Sequence, residues 1–248
     1  MPQGLELTPA DKRAQLAEML QAKAARERTV AVSFAQQRLW FLSRLEPESV
    51  AYNMPRPLRL RGVLDVGALQ ATFTAIVARH EVLRGHFEVV EGEPVQVIAP
   101  RLPIALPVVS LEAWPAAGRE AEVTRLARAE AQRPFDLTVA PLLRVSLLRL
   151  GPQEHVLLLT LHHIVSDGWS MGILLREIGA LYQATVAGRP AALPALPIQY
   201  ADFARWQRAW LQGAVLDAEL GYWRQQLAGA PGVLDLPIAR PRPALQTA

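Results

Sequence analysis

The stretch "PLLRVSLLRLGPQEHVLLLTLHHIVSDGWS", residues 141–170, contains two mainly apolar segments separated by a Gly-Pro-Gln-Glu connection. Apolar segments of this length with a Gly-Pro break between them predict a β-hairpin. The run from Val156 to Leu161 is apolar on both faces, which is typical of a strand covered on both sides. The hairpin is therefore expected at the centre of a sheet, with His162 and His163 at the end of its second strand.

The residues around this hairpin alternate between helical and extended patterns. Ser33 and Asp65 are each placed to cap the start of a helix. The other predicted elements are a hairpin over 82–99 with its turn at 91–94, and helices over 118–132, from Gly168 onward, over about 198–212 and over 214–228. This irregular alternation predicts an α/β fold, a two-layer sandwich with a mixed, mainly antiparallel sheet.

The two ends of the sequence have a different character. Residues 8–28 begin with Thr-Pro and continue in good helix formers, which predicts an amphipathic helix that is either a solvated extension or a docking element. Residues 229–248 are rich in proline and have no hydrophobic period, so we expect them to be a linker.

Composition excludes several classes of protein. Hydrophobic residues make up 51% and charged residues 20%, as in a folded globular protein. The formal net charge is only +3 and the arginines are spread along the chain, so we expect no nucleic-acid partner. The absence of cysteine excludes disulfides, thiol nucleophiles and zinc–thiolate sites. No apolar run has the roughly 20 residues of a membrane span, so we expect no membrane partner and a cytoplasmic location.

The adjacent histidines allow few kinds of chemistry. Neighbouring strand residues point to opposite faces, so only one of His162 and His163 can line a given cavity. They converge poorly on one ion and have no third ligand nearby, so no metal site is expected. Ser166 and Ser170 lie too close to His163 in sequence for a Ser-His-Asp triad, and no G-x-S-x-G turn is present.

Two interpretations of His163 remain open at this point: a neutral imidazole acting as general base, or a satisfied core histidine. His162 is expected to be structural, bonded on the other face. Asp167 precedes the predicted helix at Gly168, where it can serve as N-cap, form an ion pair with a buried arginine, or do both.

Four segments, in order, resemble condensation domains of nonribosomal peptide synthetases. "HHIVSDGWS" (162–170) is similar to the family's HHxxxDG active-site motif. The other three segments are "SFAQQRLWFLSRLEPESVAYNMP" (33–55), "ARHEVLRGHF" (78–87) and "YADFARWQRAWL" (200–211). The HHxxxDG pattern alone also occurs in related acyltransferases, whereas the four together are specific. The resemblance extends from about residue 32 to the end.

The resemblance implies a chloramphenicol-acetyltransferase-like fold of two lobes with a tunnel between them. Donor and acceptor carrier proteins deliver their substrates to this tunnel on phosphopantetheine arms, and no cofactor is bound directly. The acceptor amine attacks the donor thioester and a peptide bond forms. His163 is the second histidine of the motif, which either deprotonates the amine or orients it and stabilises the tetrahedral intermediate.

The resemblance also implies roles for residues around His163. His162, Asp167 and Gly168 are supporting residues, with Gly168 allowing close approach of substrate backbone. Asp167 is expected to pair with an arginine of the second motif, with Arg79 the first choice and Arg84 the second. The tunnel-lining candidates are Ser166, Trp169 and Ser170. Gly85 departs from the family, which more often has threonine at this position.

The length of the chain corresponds to about half of a family domain. The expected organisation is a linker or docking helix over 1–31, the N-terminal lobe over 32–228, and a passage toward a missing C-terminal lobe over 229–248. A downstream adenylation domain is a further expected partner. On this interpretation the fragment alone has weak or no activity.

Two alternatives come from other classes of function. The first is a coenzyme A-dependent acyltransferase that uses the same motif, and the second is a non-catalytic scaffold lobe. An epimerisation domain fits the other motifs less well, and a cyclisation domain would replace the histidines with aspartate.

Overall fold

The computed structural model describes residues 27–232. These residues fall into two compact units, one ending at Arg208 and the other beginning at Ala209. The helix predicted over 8–28 lies outside the described residues except for its last two positions, and Arg28 begins a strand. Most of the predicted linker, from residue 233 on, also lies outside them.

The first unit contains seven strands, five helices and one 3₁₀ turn among the described residues. In chain order they are β1 (Arg28–Ala31), α1 (Phe34–Leu45), β2 (Asn53–Arg61), α2 (Val66–Arg79), the 3₁₀ turn (Glu81–Arg84), β3 (Gly85–Val90), β4 (Glu93–Ile98), β5 (Val108–Ser110), α3 (Ala116–Ala131), β6 (Leu143–Gly151), β7 (Glu154–His162), α4 (Gly168–Val186) and α5 (Tyr200–Trp210), whose last two residues belong to the second unit. The second unit contains α6 (Gly213–Gln226).

Strand β7 lies in the middle of a four-stranded sheet of order β2-β7-β6-β5. It pairs antiparallel with β2 and β6, while β5 pairs parallel with β6. All its residues from His155 to His162 are buried. The predicted hairpin and its central position are confirmed.

The two faces of β7 pack into two different cores. Leu157, Leu159 and Leu161 lie in a large cluster with apolar residues of α1, α2 and α4. Val156 and Leu158 lie in a smaller cluster with residues of β6 and α3. Alternate residues of a strand point to opposite faces, so an apolar run without alternation is what a strand covered on both sides requires.

The second hairpin belongs to a separate sheet. Strands β1, β4 and β3 form an antiparallel three-stranded sheet in that order. The turn between β3 and β4 places Glu91 and Gly92 at φ 53° and 84°, the left-handed region that such a tight hairpin turn requires. The α/β class and the mixed, mainly antiparallel pairing are confirmed, but the strands form two sheets where one was expected.

The predicted helix starts at Ser33 and Asp65 are also confirmed. Ser33 Oγ accepts from the Gln36 N–H, and Gln36 Oε1 accepts from the Ser33 N–H, which completes a capping box. Asp65 Oδ1 accepts from the Ala68 N–H at 2.9 Å. The Ser33 cap fixes the start of α1 beside the cavity described below.

Gly85, where the resembling family more often has threonine, occupies a crowded position. A Cβ added there would lie inside contact distance of Gln96 Nε2 and 3.1 Å from Gln96 Cγ. Gln96 is buried, and its Nε2 donates to the Val82 carbonyl. The side chain of Gln96 thus fills the space that a residue larger than glycine would take.

We expect Gly85→Thr to lower the free energy of unfolding by about 1–3 kcal/mol, as overpacking in a filled core does. Urea denaturation measures the change. In a Gln96→Ala background, Gly85→Thr should lower the free energy of unfolding much less, because alanine leaves empty the space that the Gln96 side chain fills. Gly151→Thr is the control, since nothing lies within 4 Å of a Cβ there. If Gly85→Thr lowered the free energy of unfolding equally in the wild type and in Gln96→Ala, this explanation would be contradicted.

Candidate active site

A cavity of about 390 Å³ lies beside the end of β7. Its wall comes from α1, the loop before β2, the 3₁₀ turn, the loop after β7, the first turns of α4 and the segment before α5. The lining side chains are mainly apolar, with polar groups from a few residues: Arg38, Tyr52, His80, His163, Ser166, Asp167, Ser170, Gln199 and Tyr200. Concave apolar surfaces with a few convergent polar groups are typical of ligand sites.

His163 is the histidine of the pair that lines this cavity. Its backbone N–H donates to the Tyr52 carbonyl at 2.9 Å, and its side chain is exposed. Its ring Nδ1 lies 2.8 Å from the Ser166 carbonyl oxygen. A carbonyl oxygen can only accept, so Nδ1 carries the hydrogen and the lone pair of the neutral ring is on Nε2. Among the contacts of residues 27–232, Nε2 has no hydrogen bond.

His162 is buried on the opposite face, as its position on the strand predicts. Its Nδ1 accepts from the Ile164 N–H at 3.1 Å, and its ring packs edge-on against Phe135. Burial, together with the charges of His163 and Arg144, lowers the pKa of His162 to about 4. A neutral, enclosed imidazole that holds the following loop has a structural role.

The low pKa of His162 predicts a pH-dependent stability. The unfolded chain binds a proton near pH 6.5 while the folded chain does so only near pH 4, so stability falls as the pH drops through this window. We expect a loss of about 3 kcal/mol from this group between pH 7 and pH 4, at ~1.4 kcal/mol per pKa unit. His162→Asn keeps an acceptor but does not titrate. The difference in unfolding free energy between the two proteins should therefore change across this window, and a constant difference would contradict the assignment.

Asp167 is the N-cap of α4. Its Oδ1 accepts from the Ser170 N–H at 2.7 Å and from the Ser170 hydroxyl at 2.6 Å. These two bonds, the hydroxyl bond first, lower the pKa of Asp167. Gly168 is the first residue of α4, with open space where a Cβ would lie. The carboxylate thus orders the helix start that follows the histidine loop.

The predicted ion pair of Asp167 with Arg79 or Arg84 is wrong. Arg79 donates to Glu177 at 3.0 and 3.2 Å, and no ion pair joins Asp167 to either arginine within residues 27–232. Glu177 lies ten residues beyond Asp167 on the same helix, a rise of about 15 Å. Arg79 therefore reaches α4 nearly three turns away from the N-cap, whose carboxylate Ser170 already satisfies.

Arg84 binds backbone carbonyl groups instead of Asp167. Its guanidinium donates to the carbonyls of Ala78 and Ala99 at 2.8 and 2.7 Å. The first of these carbonyls belongs to the last turn of α2, where cations are favoured. Arg84 therefore ties the end of α2 to the residue that follows β4.

Of the three residues predicted to line the tunnel, two line the cavity and one does not. Ser166 and Ser170 line the cavity. Trp169 is not among the lining residues that the structure describes, and its side chain is 83% exposed. In the first turn of α4 the indole of Trp169 lies in solvent, whereas the next residue, Ser170, is hydrogen-bonded to Asp167.

Several lining residues were not identified from the sequence: Tyr52, His80, Gln199 and Tyr200. Tyr52, His80 and Tyr200 lie within the first, second and fourth quoted segments, and that position was the signal available for them, whereas Gln199 lies outside all four. His80 Nε2 lies 2.7 Å from Glu177, the carboxylate that also binds Arg79. Glu177 had a signal of its own, because helical spacing places it beside Leu174 and Ile178 on the apolar face of α4, where a charge needs a partner.

Among residues 27–232, no three His, Cys, Asp or Glu side chains lie close enough together to hold a metal ion. No helix in the described part of the chain combines the length and apolarity needed to cross a membrane. An imidazole with an available Nε2, set at the end of a central strand and open to a cavity, has the geometry to accept a proton or to orient a bound group.

Comparison with known proteins identifies the family. The family model described as Condensation domain matches residues 26–248. A linear gramicidin synthase protein of Brevibacillus parabrevis is 52% identical over 223 residues, which are 90% of this chain and 4% of that protein. The chain belongs to the condensation-domain family.

Solved structures show the same fold. The X-domain in complex with OxyB from teicoplanin biosynthesis is 34% identical, with a TM-score of 0.74 over 89% of this chain and 48% of that one. The starter condensation domain of rhizomide synthetase RzmA gives a TM-score of 0.73 at 24% identity over 83% of this chain. The match covers 49% of the RzmA domain, so this chain spans about half the length of these solved structures.

Proposed function

We propose that this chain supplies the catalytic histidine of a condensation site in nonribosomal peptide synthesis. A carrier-bound acyl or peptidyl thioester is joined there to the amine of a carrier-bound aminoacyl group. The orientation of His163 carries the proposal: its Nδ1–H is held by the Ser166 carbonyl, so Nε2 is left as an acceptor at an open cavity. Membership of the condensation-domain family supplies the reaction class.

The chemistry follows from that tautomer. The amine nitrogen attacks the thioester carbon, a C–N bond forms, and the C–S bond breaks to release the donor arm as a thiol. Nε2 accepts a hydrogen bond from the amine, takes its proton as the C–N bond forms and returns it to the departing sulfur. Because a neutral amine is nucleophilic and a thioester is activated, orientation contributes a large share of the rate.

The proposal extends to domain organisation and partners. Residues 1–31 form a linker or docking segment, 32–228 form an N-terminal lobe, and 229–248 lead to a second lobe. Donor and acceptor carrier proteins bring the substrates on phosphopantetheine arms, an adenylation domain supplies the acceptor amino acid, and the reaction takes place in the cytoplasm. Since the chain spans about half of the solved structures, the 248 residues alone should give little or no product.

A reconstituted assay tests the proposal. One carrier protein loaded with an acyl or aminoacyl thioester and a second loaded with an aminoacyl thioester are incubated with the chain and a second lobe from a family member. Mass spectrometry should show the new amide on the second carrier. Transfer from an acyl-coenzyme A donor instead would favour the coenzyme A-dependent alternative, and carrier binding without product would favour the scaffold alternative. Robust turnover by the 248 residues alone would contradict the proposed organisation.

A further inference from the structure

The loop that carries His163 is held from several directions. The His163 N–H donates to the Tyr52 carbonyl, and the Val165 N–H donates to the His162 carbonyl at 3.1 Å. The Ile164 N–H donates to the ring of His162. Ile164 and Val165 are themselves buried. Besides the bond to Tyr52, a second bond to this loop comes from a distant part of the sequence.

That bond is made by Gln36 in the first turn of α1. Its Nε2 donates to the Ile164 carbonyl at 3.3 Å, across 128 positions of sequence. Gln36 is 2% exposed, so its amide has no access to bulk water as an alternative partner. The residue that follows His163 is thus joined directly to α1.

The amide of Gln36 is itself held at a fixed orientation. Its Oε1 accepts from the Ser33 N–H at 3.0 Å, which assigns Nε2 to the Ile164 side. Ser33 Oγ lies 2.9 Å from the hydroxyl of Tyr200, a residue of the cavity wall at the start of α5. Ser33 is fully buried.

Arg208 of α5 forms hydrogen bonds to the same first turn of α1 and to the residue before its N-cap. Its Nε donates to the Val32 carbonyl at 2.9 Å and its Nη2 to Gln37 Oε1 at 2.5 Å. Its guanidinium also lies 4.3 Å from the ring centroid of Phe34. The first and fourth segments singled out in the sequence, 33–55 and 200–211, therefore meet at the start of α1.

We propose that Gln36 is a positioning residue, which fixes the loop bearing His163 so that the ring keeps its Nδ1–H on the Ser166 carbonyl and its Nε2 at the cavity. The effect on catalysis rests on the proposed function, whereas the effect on the ring does not. Misplacement of a catalytic group by about 1 Å can cost ~100-fold in rate. Loss of the bond from Gln36 should therefore reduce the rate without removing any group that touches substrate.

Gln36→Met in the full chain tests this inference, because methionine has a similar length and cannot donate to Ile164. Gln37→Met is the matched control, the same change one residue along the helix, which removes a bond to Arg208 instead. In the reconstituted assay we expect kcat to fall about 10–100-fold for Gln36→Met with KM for both carriers within twofold. Gln37→Met should stay within threefold of the wild type.

The ring of His163 provides a readout that does not depend on turnover. In ¹⁵N NMR of the wild type, the neutral imidazole should be protonated at Nδ1, and Gln36→Met should give a mixture of both tautomers. Gln36→Glu is the second variant, since an ionised carboxylate keeps the acceptor for Ser33 and loses the donor. Unchanged kcat, or an unchanged tautomer signal, in a folded Gln36 variant would overturn the inference. An unaffected rate in His163→Ala would instead overturn the proposed function.

Discussion

Replacing His163 with alanine should reduce amide formation in the reconstituted assay by about 10²–10⁴-fold, the usual contribution of a positioned acid–base group. The ring is exposed at the cavity, and its one hydrogen bond in the described structure is the Nδ1 contact to Ser166. Removing it should therefore leave the fold intact. Single-turnover measurements with both carriers loaded separate the chemical step from carrier binding.

The control for this substitution is His86→Ala. His86 lies on β3, outside the cavity, and its ring contacts Glu88 at 2.8 Å. It should keep the wild-type rate within about twofold, a small change on the free-energy scale of catalysis. If His163→Ala also kept a rate within tenfold of the wild type, the imidazole would not be the group on which condensation depends.

The largest effect on stability is expected for Glu177→Leu. Glu177 accepts from Arg79 and contacts His80, and all three side chains are mostly buried. Burial raises the pKa of Glu177, but the hydrogen bonds from Arg79 and His80 outweigh it, so this pKa lies below its ordinary value. Leucine fills a similar volume and leaves the arginine without its carboxylate. We expect a loss of about 3–5 kcal/mol in the free energy of unfolding.

Glu120→Leu is the matched control. Glu120 pairs with Arg59 at 2.7 Å, but its side chain is 62% exposed. Exposed pairs contribute at most about 1 kcal/mol, so this variant should stay close to the wild type in denaturant. Similar losses for the two substitutions would show that burial does not set the strength of the Glu177 pair.

Local features of the fold could be predicted because they depend on short stretches of sequence. The unbroken apolar run of β7 reflects cover on both faces, and the N-caps at Ser33 and Asp65 reflect orphan N–H groups within one turn. That only one of His162 and His163 can line the cavity follows in the same way, whereas the resemblance indicated that this one is His163. Strand alternation puts the two rings on opposite faces, and only one of those faces meets the cavity.

Features that depend on long-range packing could not be predicted. The strand pattern over 82–99 does not indicate which other strand the hairpin pairs with, and in the structure β4 pairs with β1 in a separate sheet. The partner of Asp167 depends on where α2 crosses α4, and the crossing brings Arg79 to Glu177. Likewise, the bond from Gln36 to Ile164 joins two segments whose approach no local pattern encodes.

Alkylation of the site tests the central claim most directly. A donor carrier protein bearing a bromoacetyl group on its phosphopantetheine arm places an electrophilic methylene carbon one bond from the position of the thioester carbonyl carbon. The lone pair on Nε2 of His163 should displace bromide, so peptide mass spectrometry should find the new N–C bond on His163, and the matching peptide of His163→Ala should be unmodified. Modification elsewhere in the cavity, with His163 unmodified, would contradict the assignment of this imidazole to the reaction.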